Sequence, residues 1–280
     1  MLNYIRAGFR LRMVLILLFA SNYYLLTALN NNGSKVQIIR NPVIILDPGH
    51  GGIDQGAKGR HSLEKDINLS VAFALRSLIL HHMPEAEVFL TRHDDSYITL
   101  NERASLANQL KADLFISLHC NSNLSGQING AEVYVMGTHK TDDHLAITLR
   151  ENSDHLHEDI IEQGNEIDDK NQDFIFINQI QSAVLSRSFE FGQSIVNNLQ
   201  TKHPAGCRPL RQAGFAVLWK ASVPSALIEM GYINNSKDEE YLNSSEGQST
   251  ISMSILESIQ KYFNTRMVEI QSASIPIIQN

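Results

Sequence analysis

His50, Glu64 and His119 have side chains suited to a metal ion, and Glu229 is an acid suited to work beside one. His50 follows the run Val43-Ile44-Ile45-Leu46, short and rich in β-branched residues, which reads as a buried strand. It sits in Asp47-Pro48-Gly49-His50-Gly51-Gly52, where glycine lets backbone approach a ligand and proline ends the strand. A lone histidine in such a turn is ordinarily a solvated side chain. The pattern recurs, however, in Phe115-Ile116-Ser117-Leu118, a second buried run that ends in His119 before Cys120-Asn121-Ser122. Glu64 stands just before an apolar-periodic helix. Two histidines and a glutamate make a three-ligand set that leaves a fourth position to water, the arrangement of catalytic zinc. A third apolar run, residues 224–228, ends in Glu229, which suits a general base and acid next to the metal.

The elements that must carry these residues are legible as periods. Strands are expected at residues 43–46, 87–91, 114–118, 131–136, 215–219 and 225–229. Helices are expected from Glu64 to about His82, then at 100–111, 177–199 and 252–263, with a further helix start at Asp238-Glu239-Glu240. Their alternation predicts an α/β fold: a single layered domain with a roughly six-stranded mixed sheet flanked by helices. Adjacent strand side chains face opposite ways, so if His119 faces the site, Cys120 faces away and serves as a small buried hydrophobe rather than a thiolate ligand. His81, His82 and His93 lie outside the strand-end pattern and read as surface histidines.

Residues 1–34 read as a signal peptide or N-terminal anchor plus linker, with Arg6, Arg10 and Arg12 before the apolar stretch 13–20. This predicts an exported chain, periplasmic or in the cell envelope, whose contact with a membrane is at most that anchor. Residues 35–264 form the expected catalytic domain and 265–280 a tail. An insertion at about 151–176 is dense in acid. The net charge of −7 argues against a nucleic-acid partner, which would want a basic stripe. Two cysteines are too few for a disulfide framework.

The blocks DPGHGG, GAKG, EKDINL, TRHDD, LNERASLAN, ADLFISLHCNS, GAEVY, QAGFAVL and VPSALIEMGYINN run in order from Val43 to about Phe263. Together they resemble the zinc-dependent N-acetylmuramoyl-L-alanine amidases of bacterial cell walls. The resemblance implies one Zn2+ per chain on His50, Glu64 and His119, with Glu229 as the catalytic acid and base. It also implies peptidoglycan as substrate, cut between N-acetylmuramic acid and L-alanine in wall remodelling or daughter-cell separation. In some members a helix inserted where the acidic stretch lies covers the zinc until an activator protein removes it. Here Glu158 and Glu162, beside the small apolar face of Leu156, Ile160 and Ile161, are the candidate blocking carboxylates. Asn121 is a candidate to orient substrate, or simply a turn residue. Arg208 and Arg211 are candidates to hold a carboxylate of the substrate peptide, or plain surface charge. Residues 58–63 lack the second glycine often found before this glutamate, which leaves the loop's conformation open. The competing functions are a catalytically silent wall-binding relative and a different zinc peptidase. The presence of all four chemical residues speaks against the first, and the ordered blocks disfavour the second.

Overall fold

A computed structural model of the chain describes residues 40–137, 142–152 and 171–273. Contacts group Asn41–Thr265 into one compact unit, the first of two. The first unit is built on a six-stranded sheet in the order β2-β1-β3-β6-β4-β5. These strands are β1 Val43–Pro48, β2 Glu87–Leu90, β3 Leu114–Asn121, β4 Glu132–Met136, β5 Arg211–Ala213 and β6 Ser225–Tyr232. β1, β2, β3 and β6 run parallel. β4 is antiparallel to β6, and β5 follows β4 in parallel, which makes the sheet mixed.

Each strand's period of two divides its side chains between two cores. On one face Leu46, Ile116, Cys120, Val133 and Ile228 pack with α1 (Glu64–His82), α4 (Asn171–Lys202) and α7 (Ser245–Ala273) through Val71, Leu75, Phe191, Ile195, Ile255 and Ile259. On the other, Ile45, Phe115, Tyr134 and Leu227 pack with Ala104 and Ala107 of α2 (Leu100–Gln109) and with Val217 and Leu218 of α5 (Ala216–Lys220). The fully buried aliphatic side chains each contribute about 1.5–3 kcal/mol through removal from water. The second face carries the chemistry, because the residues two further along the same strands are polar: Asp47, Ser117, His119, Asn121 and Glu229. Cys120 lies in the opposite core, as the alternation predicts.

The structure corrects several expected elements. Residues 216–220 form the short helix α5, not a strand, and the fifth strand lies earlier, at Arg211–Ala213. An apolar run of five residues suits either element, and here burial of Phe215, Val217 and Leu218 against α2 decides for the helix. The long helix α4 begins at Asn171 instead of 177. The closing helix α7 covers Ser245–Ala273, so the expected tail from 265 begins inside it. Two further helices are α3 (Asp142–Glu151) and α6 (Ser236–Asn243). α2 opens with a capping box: the Thr99 side chain accepts from the Glu102 N–H, and the Glu102 side chain accepts from the Thr99 N–H. Among the described residues no helix is long and apolar enough to cross a membrane. The segment 1–34 lies outside the described residues.

Candidate metal centre

Four side chains converge beyond the C-terminal ends of β1 and β3. One ligand atom from each of His50, Glu64, His119 and Glu151 lies within 4.8 Å of all the others. His50 comes from the turn after β1 and holds φ at 61°, a left-handed conformation unusual for a residue with a Cβ. Such strain persists only where the surroundings over-determine it. Two buried arginines do so. Arg92 donates to the carbonyls of Pro48 (2.9 Å) and Gly49 (3.0 Å). Arg103 donates to the carbonyls of Pro48 (2.9 Å) and His50 (2.8 Å). Arg103 is itself anchored on Asp47 at 2.8 Å, whose carboxylate also accepts from Thr91 and Ser117. Gly49 is required for a separate reason: a Cβ there would come within 2.3 Å of the His119 ring.

Glu64 opens α1, where the helix dipole favours an anion. Its Oε1 accepts from the Cys120 N–H at 2.9 Å and its Oε2 from the Ala57 N–H at 2.7 Å. The loop before it closes without a second glycine. Gly59 donates to the Ser62 carbonyl, and Glu239 accepts from the His61 N–H (2.7 Å) and the Ser62 hydroxyl (2.8 Å). Asp54 bonds His50 Nδ1 at 2.6 Å, which turns Nε2 toward the other ligands. His119 presents Nδ1, 3.1 Å from both Glu64 Oε1 and Glu151 Oε2.

The donor set fits a divalent metal. His50 Nε2 and Glu151 Oε2 are buried with no hydrogen-bond partner, yet they sit 3.2 Å apart, facing one another across the cluster. Burial disfavours charge on both imidazoles, but the surrounding carboxylates outweigh it. They hold the His50 pKa well above its ordinary value and raise that of His119 to about 9. Glu64 is held below the ordinary carboxylate range: burial opposes this, and the charge of His50 outweighs it. Glu151 is likewise held well below, by His119 against the cost of burial. The two carboxylates carry the charge that one dication between neutral imidazoles would balance.

Glu229 lies alongside on β6, in register with His119. It is completely buried, and neither carboxylate oxygen has a hydrogen-bond partner. Burial, together with the charge of Glu151, raises its pKa to about 8. Arg150 covers it: Nη2 is 3.8 Å from Glu229 Oε1, Nε is 2.7 Å from Glu151 Oε1, and Nη1 donates to the Ser122 hydroxyl at 2.9 Å. The cleft leading in is walled by Ile98, Leu100, Arg150 and Glu151 besides the two histidines.

Of the sequence-predicted residues, His50, Glu64, His119 and Glu229 are brought together here. Asn121 lies one side chain away, bonding Glu132 through Nδ2 (3.1 Å) and the Ser122 N–H through Oδ1 (2.7 Å). Arg208 and Arg211 lie beyond it, paired with the buried Glu132 rather than standing as plain surface charge. Glu158 and Glu162 fall outside the described residues. Glu151, which does reach the cluster, is the first acid of the same stretch. The sequence does not single Glu151 out among the acids of that stretch, because nothing in its spacing separates the one that turns inward from its solvated neighbours. Nor does it mark Arg92, Arg103 and Glu132, whose burial leaves no periodic signal, although they fall in the TRHDD, LNERASLAN and GAEVY blocks.

Comparison with known proteins accords with this geometry. Residues 44–261 match the family described as N-acetylmuramoyl-L-alanine amidase. Over 222 residues the chain is 35% identical to N-acetylmuramoyl-L-alanine amidase AmiC of Escherichia coli, a match that takes in 79% of this chain and 52% of that protein. The chain therefore spans about half the length of that relative. It is 33% identical to the AmiA amidase of Escherichia coli K12 over 79% of this chain and 76% of that one. The crystal structure of an N-acetylmuramoyl-L-alanine amidase from Clostridium difficile 630 shares the fold, with a TM-score of 0.60 at 24% identity over 81% of this chain and 98% of that one. By the extent of the family match and these identities, the chain belongs to the N-acetylmuramoyl-L-alanine amidase family.

Proposed function

We propose that this protein is a zinc-dependent amidase that cuts the bond between N-acetylmuramic acid and L-alanine in peptidoglycan, and that the arrangement described above is its closed state. The observation that carries the reading is the cluster itself: three ligands from the β1 turn, α1 and β3, with an unbonded buried carboxylate beside them. His50, Glu64 and His119 would hold the ion, a donor set typical of catalytic zinc. Bound zinc supplies Lewis-acid chemistry toward the amide carbonyl and toward water. Glu229 takes the proton of the attacking water and delivers it to the nitrogen of the departing L-alanine. Asp54 fixes the His50 tautomer and ring orientation.

Glu151 supports the closed-state reading. Structural zinc sites have four protein ligands, whereas catalytic sites keep one position open. Glu151 from α3 would serve as a fourth ligand and fill that position, and the adjacent Arg150 lies over Glu229. Activity then requires the end of α3 to withdraw. An activator protein acting on the acidic segment that follows is the simplest agent, and the role that suits such control is wall remodelling or daughter-cell separation. The basic and apolar N-terminal stretch supports export to the cell envelope, where intact wall is the substrate.

The test is product analysis on purified peptidoglycan. The account expects soluble stem peptides with a free L-alanine amine and uncut glycan. Fragments cut between amino acids would point to a zinc peptidase. Binding to the wall with no release, even from a Glu151→Ala chain loaded with zinc, would point to a silent relative.

A further inference from the structure

Next to Glu229 on the same face of the sheet lies a second buried carboxylate, Glu132, its register partner on β4. Unlike Glu229 it is fully bonded. Its Oε2 accepts from the Tyr134 hydroxyl at 2.6 Å and Asn121 Nδ2 at 3.1 Å, and its Oε1 from the Tyr232 hydroxyl at 2.9 Å. On Oε1 two guanidiniums also converge, Arg208 Nε at 3.2 Å and Arg211 Nη1 at 3.3 Å. One carboxylate with three neutral donors needs no more than one cation, so the pair leaves a surplus positive charge.

The surplus faces outward. The Arg208 and Arg211 side chains are 30% and 26% exposed, against 1% for Glu132. Arg208 is steadied by donation to the Asn129 carbonyl (3.0 Å) and by the Tyr232 ring, 5.4 Å below its guanidinium. The contacts to Glu132, Asn129 and the Tyr134 hydroxyl (3.5 Å from Arg211 Nη1) use Nε and Nη1 of Arg208 and Nη1 of Arg211, and the remaining guanidinium nitrogens take part in none of them. A guanidinium held still with donors to spare suits a carboxylate, because little freedom remains to be lost on binding. The site is contiguous with the reacting centre: Asn121 links Glu132 to Arg150 (Oδ1 to Nη2, 3.5 Å), which in turn lies on Glu229.

We propose that Arg208 and Arg211, held in place by the buried Glu132, form an anionic subsite that takes a free carboxylate of the peptidoglycan stem peptide. This rests on the amidase reading, which also identifies the occupant. The lactyl carboxyl of N-acetylmuramic acid is consumed in the scissile amide, so the free carboxylates near the cut belong to the peptide. The stem peptide then runs from Glu229 toward β4 and β5.

The experiment uses the full chain carrying Glu151→Ala, loaded with zinc, and two muramoyl peptides identical except for a carboxylate or a carboxamide on the residue after alanine. The carboxylate substrate is expected to be favoured about tenfold or more, mostly in KM, as a charge-assisted contact provides. Arg208→Gln and Arg211→Gln should each shrink that ratio toward one. Lysine at either position should restore part of it, because lysine keeps the charge but not the fork. Equal use of both substrates by the parent overturns the proposal. So does a fall in Arg211→Gln that is the same on both substrates, which marks a structural role. If neither substrate is cut, calorimetric binding of the two peptides decides separately. A carboxylate preference lost in both glutamine variants upholds the subsite while the amidase reading fails, and equal or absent binding overturns the subsite.

Discussion

His50 concentrates the local design. Its backbone is held in the left-handed region by Arg103 and by the arginine-bonded carbonyls before it, and its ring is held by Asp54. Removing that ring contact with Asp54→Ala should lower zinc affinity about 10–100-fold, measured by competition with a chelator. Proton linkage gives a second prediction at this scale. Without metal, the carboxylates outweigh burial and raise the pKa of both imidazoles, that of His119 to about 9. Zinc must displace the protons they hold, so uptake at pH 7 should release protons, that of His119 among them, and affinity should fall as pH falls. Calorimetry in buffers of different ionisation enthalpy reads the number. Uptake with no proton release would mean the imidazoles are already neutral.

At the scale of elements, the proposed closed state makes α3 the piece that has to move. It brings Glu151 to the cluster and Arg150 to Glu229, and it is tied down by Asn152, which donates to the Gly214 carbonyl and accepts from the Ala216 N–H. Asn152→Ala should loosen it and raise peptide release in the zinc-loaded chain. A lower or unchanged rate would sink the closed-state reading. Glu151 also raises the Glu229 pKa by its charge. In metal-free Glu151→Ala the Glu229 carboxyl should therefore ionise at lower pH than in the metal-free parent, read by titration of an isotope-labelled glutamate carboxyl. β1 is tied to α2 by the buried Asp47–Arg103 pair. Burial alone would raise the Asp47 pKa, but Arg103, Thr91 and Ser117 outweigh it and hold it below its ordinary value. The pair's contribution is present above the unfolded pKa near 3.9 and is lost as pH falls through the folded value. Arg103→Met leaves a buried charge unpaired and should cost about 3–5 kcal/mol at neutral pH in urea unfolding. The sign should also reverse in that variant, which gains stability in mild acid as Asp47 neutralises.

For the whole molecule, what the sequence made legible was whatever repeats with a period or closes a run. Strand ends carrying His50, His119 and Glu229 stood out because a polar residue terminates an apolar stretch. The sheet and the flanking helices followed from alternation. Residues 215–219 read as a strand yet enter a helix at Ala216–Lys220, because five apolar residues carry no period that separates the two. Arg92, Arg103, Glu132 and Glu151 were not legible in their roles, because a charged residue buried by partners far along the chain looks like any surface charge until the fold brings those partners in. In the proposed mechanism three residues hold the metal, Glu229 moves the proton and Glu151 is a removable fourth ligand. Zinc content and stem-peptide release, measured together in Glu151→Ala and in Glu151→Ala with Glu229→Gln, test it most directly. The prediction is about one zinc per chain in both, with release in the first and about a hundredfold to ten-thousandfold less in the second. Persistent release from the double variant at full zinc occupancy, or loss of zinc in the single one, would contradict it.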